Sequence, residues 1–176
     1  MDENEEVVEE ITEEIVKIRT KHELENYLKE NHFIDIAESF EELDDSELKR
    51  ILSLMSDENK AKVIEQADEE LQEKILELFS GEEIIQIFSH MSPDDITDIL
   101  GYIEFQKRKS ILDNMKRSEA NKLRELLGYE EDSAGGIMTT RYIAFKEELL
   151  IKDIMAKIKI IAPKTEVIEK IFVLNN

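Results

Sequence analysis

The sequence predicts a mainly α protein, in which a right-handed superhelix of short helices, in steps of about 12 residues, precedes an incomplete β-α-β unit. Apolar residues recur at intervals of 12 along most of the chain, often followed by helix-capping residues. After Thr140 this pattern is replaced by runs typical of strand, helix and strand. Between the two patterns lies the pair Gly135-Gly136, whose backbone can approach another segment closely.

The N-terminal segment, residues 1–32, is predicted to be helical. Glutamates separate apolar residues that recur every three or four positions, as on one face of a helix. These apolar residues are Val7, Ile11, Ile15 and Ile18. The pattern continues to about Asn31, and either one long helix or a helix broken near Arg19 and Thr20 fits it.

Residues 33–128 are predicted to form one acidic helical superhelix. Its landmarks, 12 residues apart, are Leu43, Met55, Ala67, Phe79, Met91, Ile103, Met115 and Leu127. The next residue is often Asp or Ser, which cap helix N-termini. Ser80 begins a capping-box pattern with Glu83, and Pro93 occupies a first helical position. Helices of about ten residues are marginal alone, so they must stack on their neighbours.

Residues 141–176 show a different periodicity. Residues 142–145 are predicted to be a strand, residues 147–160 a helix and residues 168–174 a second strand. A β-α-β unit of this size cannot close its own sheet, so we expect the sequence to stop within a domain.

Composition excludes several function classes. The net charge is −20, with 43 acids and 23 bases. This argues against a nucleic-acid partner, which requires a basic face, and favours a basic protein surface or metal ions. The chain has no cysteine, no signal-peptide pattern and no apolar run near the roughly 20 residues of a membrane span.

No arrangement of acid, base and nucleophile is recognisable, so we expect that the protein is not an enzyme. Its histidines are scattered without metal-ligand spacing. Asp94 and Asp98 are four residues apart on one predicted helical face, where like charges repel by a few tenths of a kcal/mol. A hard cation such as Mg²⁺ would remove that repulsion. Spacing alone still favours an ordinary solvated face.

The join between the two patterns, residues 129–140, resembles the MgtE family of magnesium transporters. The family motif has the form Y-x-E-D-x-A-G-x-[IL]-M-T. The matching residues are Tyr129, Glu131, Asp132, Ala134, Gly135, Ile137, Met138 and Thr139. In that family an acidic helical N domain precedes the motif, and a pair of CBS domains and a membrane pore follow it. Residues 141–176 resemble the start of the first CBS domain.

The resemblance implies a regulatory, Mg²⁺-sensing function. In the family, Mg²⁺ binding between acidic N-domain and CBS surfaces compacts the cytosolic part and closes the pore. The implied partners are the remaining CBS domains and transmembrane pore of the full-length chain, which forms a homodimer. The implied location is the cytoplasmic face of the cell membrane.

The resemblance also implies a metal site. Residues 92–98 are similar to the family segment in which two acids, four residues apart, face the CBS domain. This implies that Asp94, Asp98 and the backbone carbonyl of Gly136 form the N-domain share of a regulatory Mg²⁺ site. A further acid of some members corresponds to Lys62 here, so a second site is not carried over. Because the partner carboxylates are missing, we expect weak or absent Mg²⁺ binding by this chain alone.

A helical-repeat scaffold for protein–protein interaction is the alternative function. Short-helix superhelices also form such platforms, as in the flagellar motor switch protein. The motif at residues 129–140, followed by a CBS-like segment, favours the transporter interpretation.

Overall fold

The computed structural model describes residues 3–129, Ser133, residues 143–161 and residues 171–175. The chain divides into two compact units, Met1–Tyr129 and Glu130–Asn176. The described part of the first unit forms ten helices: α1 (Glu3–Ile15), α2 (Lys21–Glu30), α3 (Phe33–Glu41), α4 (Asp45–Leu54), α5 (Asp57–Gln66), α6 (Glu69–Glu77), α7 (Gly81–Phe88), α8 (Pro93–Tyr102), α9 (Phe105–Asn114) and α10 (Arg117–Leu126). The predicted mainly α fold class is confirmed.

The N-terminal segment is broken, as one of the two sequence interpretations allowed. Helix α2 begins after Thr20, whose Oγ1 accepts a 3.3 Å hydrogen bond from the Glu23 amide. The Glu23 carboxylate in turn accepts a 3.0 Å bond from the Thr20 amide. This reciprocal capping box satisfies free amides at the new helix start, which favours a break over a continuous helix.

The predicted succession of short helices between residues 33 and 128 is confirmed by α3 to α10. Five of these helices begin at N-caps whose side chains accept backbone amides, and all five were predicted from the 12-residue pattern. They are Asp44, Ser56, Asp68, Ser80 and Ser92. Helices α3, α9 and α10 differ, because His32, Glu104 and Lys116 at their starts make no side-chain cap hydrogen bond.

The helices stack in steps of two. Helices α1, α3, α5, α7 and α9 pack in succession, and α8 packs on α10. Their apolar faces form one continuous core that runs from Ile11 on α1 to Leu123 on α10. Phe40 and Phe88 are among its fully buried side chains. Each short helix is therefore stabilised by its neighbours.

Basic side chains also join distant helices by capping their C-terminal ends. Arg50 on α4 donates from Nη1 to the Ile18 carbonyl at 2.7 Å and from Nη2 to the Val16 carbonyl at 3.0 Å. Lys74 on α6 donates from Nζ to the Leu43 carbonyl at 2.9 Å. Carbonyls at helix ends lack partners within the helix, and these bonds supply partners from another helix. The Val16 and Ile18 carbonyls also accept hydrogen bonds from Arg19 Nη1.

The described part of the second unit contains β1 (Ile143–Lys146), α11 (Ile151–Ile161) and β2 (Ile171–Leu174). The strands are parallel, with Ile143 opposite Ile171, so the predicted β-α-β unit is confirmed. The helix begins later than predicted, because a turn intervenes in which the Leu149 amide donates to the Lys146 carbonyl at 3.1 Å. Residues 168–170 of the predicted second strand lie outside the described residues.

None of the described helices is both long enough and apolar enough to cross a lipid bilayer.

Replacement of Ser80 by alanine should lower the free energy of unfolding by about 1 kcal/mol, because the α7 cap is lost. Ser80 hydrogen bonds hold the pKa of Glu83 below its usual 4.5. A carboxylate whose pKa is lower in the folded chain than in the unfolded chain stabilises the fold at pH values above the unfolded-state pKa. The part of the Ser80 effect that depends on ionised Glu83 should therefore disappear as the pH falls through the lowered pKa of Glu83. Urea denaturation at neutral and acid pH measures both effects. Ser110→Ala, at an exposed position within α9, is the matched control and should change little.

Replacement of Arg50 by methionine should release α1 from α4. The loss of charge-assisted hydrogen bonds should cost about 2 kcal/mol, and amide exchange should accelerate in α1. Lys49→Met, at the neighbouring exposed position, is the control. Equal protection of α1 in Arg50→Met and the parent chain would show that these hydrogen bonds do not anchor it.

Candidate functional site

One stretch of the superhelix carries only negative charge. Between Lys74 and Lys107 the sequence contains no lysine or arginine. Its acids are Glu77, Glu82, Glu83, Asp94, Asp95, Asp98 and Glu104. Helices α7 and α8 therefore contribute a surface on which fixed charges of one sign face solvent without basic residues of their own segment.

Asp95, one of these acids, has a structural role at the start of α8. Ser92 is the N-cap and accepts a 3.2 Å hydrogen bond from the Asp95 amide. Its hydroxyl donates to Asp95 Oδ2 at 2.5 Å. The Asp95 carboxylate also lies in the first turn, where the helix dipole favours negative charge. Asp95 is thus an acid that helps to begin the helix.

Asp94 and Asp98, the predicted metal-binding side chains, both lie on α8. Asp94 is half-buried and Asp98 is exposed. Residues four apart in a helix lie on one face, about 5–6 Å apart at Cβ. Asp98 is beyond the first turn and gains little from the helix dipole, so its carboxylate is not explained by helix initiation.

Tyr102 lies one turn after Asp98, and several acids surround its phenol group. Its hydroxyl donates a hydrogen bond to Gln72 Oε1, which links α8 to α6. Burial of the phenol raises the pKa of Tyr102, and nearby acids raise it further. These acids are Glu69, Glu73, Asp68 and Asp98. The structure thus adds α6 acids to this neighbourhood, and the sequence interpretation had missed them.

The repeat register sets Asp98 apart from its equivalents. Asp98 lies 24 residues after Lys74 and 48 residues after Arg50. Both basic side chains donate to carbonyls at the ends of distant helices. An ionised carboxylate cannot donate a hydrogen bond. At this step, a negative charge has replaced the kind of side chain that stabilises helix ends elsewhere in the superhelix.

A groove lined mainly by acids lies beside α3 and α6. Its volume is about 310 Å³, and its lining residues are Glu41, Glu42, Asp68, Glu70, Leu71 and Lys74. Partial burial raises the pKa of Glu41, and the neighbouring carboxylates Asp68, Glu38, Glu42 and Glu70 raise it further. These groups repel one another when all are ionised, so this groove also holds electrostatic strain.

The other two positions compared with the family's metal sites are Gly136 and Lys62. Gly136 lies outside the described residues. Lys62 lies on α5, with its Nζ 2.9 Å from Glu58 Oε1 and 5.5 Å from the centre of the Phe33 ring. The described residues contain no group of three or more histidines and acids placed to hold a metal ion. Mg²⁺ prefers six oxygen ligands, so Asp94 and Asp98 can supply only part of a site.

Comparison with known families identifies the superhelical unit. The family profile described as the MgtE intracellular N domain matches residues 31–132, which is more than half of the chain. The chain belongs to the MgtE N-domain family.

Two curated relatives of this MgtE N-domain chain are described as magnesium transporter MgtE. The Bacillus subtilis protein is 27% identical over 141 residues, which are 80% of this chain and 31% of that protein. The Thermus thermophilus protein is 28% identical over 158 residues, which are 86% of this chain and 34% of that protein. The chain thus spans about a third of the length of these relatives.

Two solved structures have the same fold. One, described as the cytosolic domain of the Mg²⁺ channel MgtE in complex with ATP, matches with a TM-score of 0.76 and 26% identity, over 85% of this chain and 61% of that chain. The other, described as the soluble part of a magnesium transporter, has a TM-score of 0.82 and 20% identity, over 99% of this chain and 68% of that chain. The second likeness concerns the fold alone.

Asp95 and Asp98 should respond oppositely to neutralisation, although both are aspartates on α8. Asp98→Asn should raise the free energy of unfolding by a few tenths of a kcal/mol, because repulsion from Asp94 is relieved. Asp95→Asn should lower it by about 0.5 kcal/mol, because a dipole interaction at the helix start is lost. Urea denaturation without divalent cations measures both. If both variants lost stability equally, Asp98 would be an ordinary structural acid.

Proposed function

We propose that this chain is the cytosolic, Mg²⁺-sensing region of a magnesium transporter. Its membership of the MgtE N-domain family carries the proposal. The 26% identical structure supports it, because that protein is described as the cytosolic domain of a Mg²⁺ channel. The function is regulatory: the chain changes shape in response to the ion and does not transform a substrate.

The proposed sensor is the acidic surface of α7 and α8. Asp94 and Asp98, with the backbone carbonyl of Gly136, are the N-domain share of the regulatory site. The two carboxylates are hard oxygen donors on one helical face, which is the ligand chemistry that Mg²⁺ prefers. The replacement of a helix-capping base by Asp98 supports a use of this charge beyond folding.

The missing ligands are proposed to come from acidic CBS surfaces of the same full-length chain. Two acidic surfaces repel each other, so they separate when Mg²⁺ is scarce. A bound Mg²⁺ would supply positive charge between them. Mg²⁺ bound by Asp94 and Asp98 then favours the compact state, to the extent that this state binds the ion more tightly than the open state does.

This equilibrium is proposed to control a transmembrane pore that belongs to the same chain and works as a homodimer at the cell membrane. The compact state closes the pore, and the open state permits transport. This chain spans about a third of the length of the curated relatives, and the pore and most of the CBS pair are proposed to belong to the part of the full-length protein that it does not span.

Replacement of Asp94 or Asp98 by alanine in the full-length protein should weaken Mg²⁺-dependent compaction. Loss of a charged ligand should cost at least about 1.4 kcal/mol, so the Mg²⁺ concentration at half-compaction should rise about tenfold. Protease protection and ion flux, measured over a Mg²⁺ titration, give the two midpoints. The fold of each variant should be nearly unchanged, since neither side chain belongs to the core.

Glu30→Ala is the matched control, because Glu30 is an exposed acid on α2, outside the acidic surface of α7 and α8. Its midpoints should stay near those of the parent protein. If neither Asp94→Ala nor Asp98→Ala shifted compaction or flux, the site assignment would be wrong, and these acids would be ordinary surface residues.

A further inference from the structure

The charge of the superhelix reverses at its C-terminal end. Residues 105–124, in α9 and α10, contain seven lysines and arginines and two acids, in a chain whose net charge is −20. Five of the basic side chains are exposed. These are Lys109, Lys116, Arg117, Lys122 and Arg124. Such a local excess of positive charge, next to an acidic stretch, indicates a surface with a different partner from that of α7 and α8.

A groove between α9 and α10 lies within this basic end. Its volume is about 310 Å³, and its lining residues are Phe105, Arg108, Lys109, Leu112, Asp113 and Arg124. The Phe105 side chain is 61% exposed, although it is large and apolar. The Arg108 guanidinium lies 5.7 Å from the centre of the Phe105 ring. The groove therefore combines an accessible aromatic ring with several cationic groups.

Termination of the superhelix explains only part of this surface. Arg108 occupies the repeat position that buried Ile84 and Ile96 hold in other steps, and it donates to the Leu100 carbonyl at 3.1 Å. A terminal repeat needs a polar outer surface, which accounts for Arg108. It does not account for an exposed Phe105 or for Lys109, because an ordinary polar cap needs neither an aromatic ring nor an excess of one charge.

We propose that the α9–α10 end docks on the anionic surface of a lipid bilayer. Basic side chains are attracted to anionic headgroups, and an exposed aromatic ring inserts at the boundary between headgroups and acyl chains. The inference rests on the proposed function, which keeps this region tethered close to a membrane. Tethering raises the effective concentration of the surface, so a weak attraction is sufficient.

The charge distribution favours a bilayer over a second copy of this chain. Two copies at −20 repel each other. An anionic bilayer also repels the acidic remainder of the superhelix, so only the α9–α10 end can approach it, and the domain is held in one orientation. Divalent cations screen anionic headgroups, so rising Mg²⁺ would release this end as the acidic surfaces close.

The test is co-sedimentation of the 176-residue chain with vesicles at low ionic strength. The parent chain should bind vesicles of phosphatidylcholine mixed with phosphatidylserine, and not vesicles of phosphatidylcholine alone. Lys109→Glu should lower the binding constant about tenfold or more, since it exchanges an attractive charge for a repulsive one. Phe105→Ser should remove the part of the binding that survives added salt. Circular dichroism verifies that each variant is folded.

Two control variants on other helices test whether the α9–α10 end makes the contact with the vesicle. Lys49→Glu makes the same charge change on α4 and should have little effect, while Lys157→Glu tests one of the exposed basic residues on α11. The proposal fails if Lys157→Glu abolishes binding and Lys109→Glu does not, if neutral vesicles bind equally, or if inorganic phosphate displaces the chain as well as vesicles do. Self-association through this end in sedimentation velocity, without vesicle binding, also overturns it. Since no outcome involves Mg²⁺-dependent compaction, failure here leaves the proposed function standing.

Discussion

The packing of alternate helices, from α1 through α3, α5 and α7 to α9 and of α8 on α10, is the constraint on which this structure depends. Helices of eight to ten residues, such as α7 and α8, are marginal in isolation. The stacking of α3 on α5 and of α5 on α7 converts them into one continuous core. Stability is therefore shared along the array, and the outward faces can carry charges that do not contribute to folding.

The helical ladder could be predicted from sequence because its signals are local. A landmark such as Met91 and its following Ser92 specify a buried residue and a helix start within a few positions. Long-range features could not be predicted in this way. The bond from Arg50 to the Ile18 carbonyl and the link from Tyr102 to Gln72 depend on the distance in space between residues that are 32 and 30 positions apart in the sequence. Only the structure supplies that distance.

The candidate site was predictable in part. The four-residue spacing of Asp94 and Asp98 placed them on one helical face, but spacing alone could not distinguish a ligand from a solvated acid. Family resemblance supplied the assignment, and it stays a proposal. The structure adds the local cause of the difference between neighbours: Asp95 helps to begin α8, whereas Asp98 lies past the first turn. The basic run at residues 105–124 is a feature of the sequence that the site prediction did not use, and the exposure of Phe105 comes from the structure.

The two-step packing also limits how such a chain can change in length. Helices with odd and even numbers belong to alternate positions in the stack, as α7 with α9 and α8 with α10 show. Loss of a single 12-residue step would move every later helix to the opposite position and turn buried faces toward solvent. Loss or duplication of two steps would preserve each helix's neighbours. Proteins with this fold should therefore differ in length by pairs of helices, that is, by multiples of two 12-residue steps.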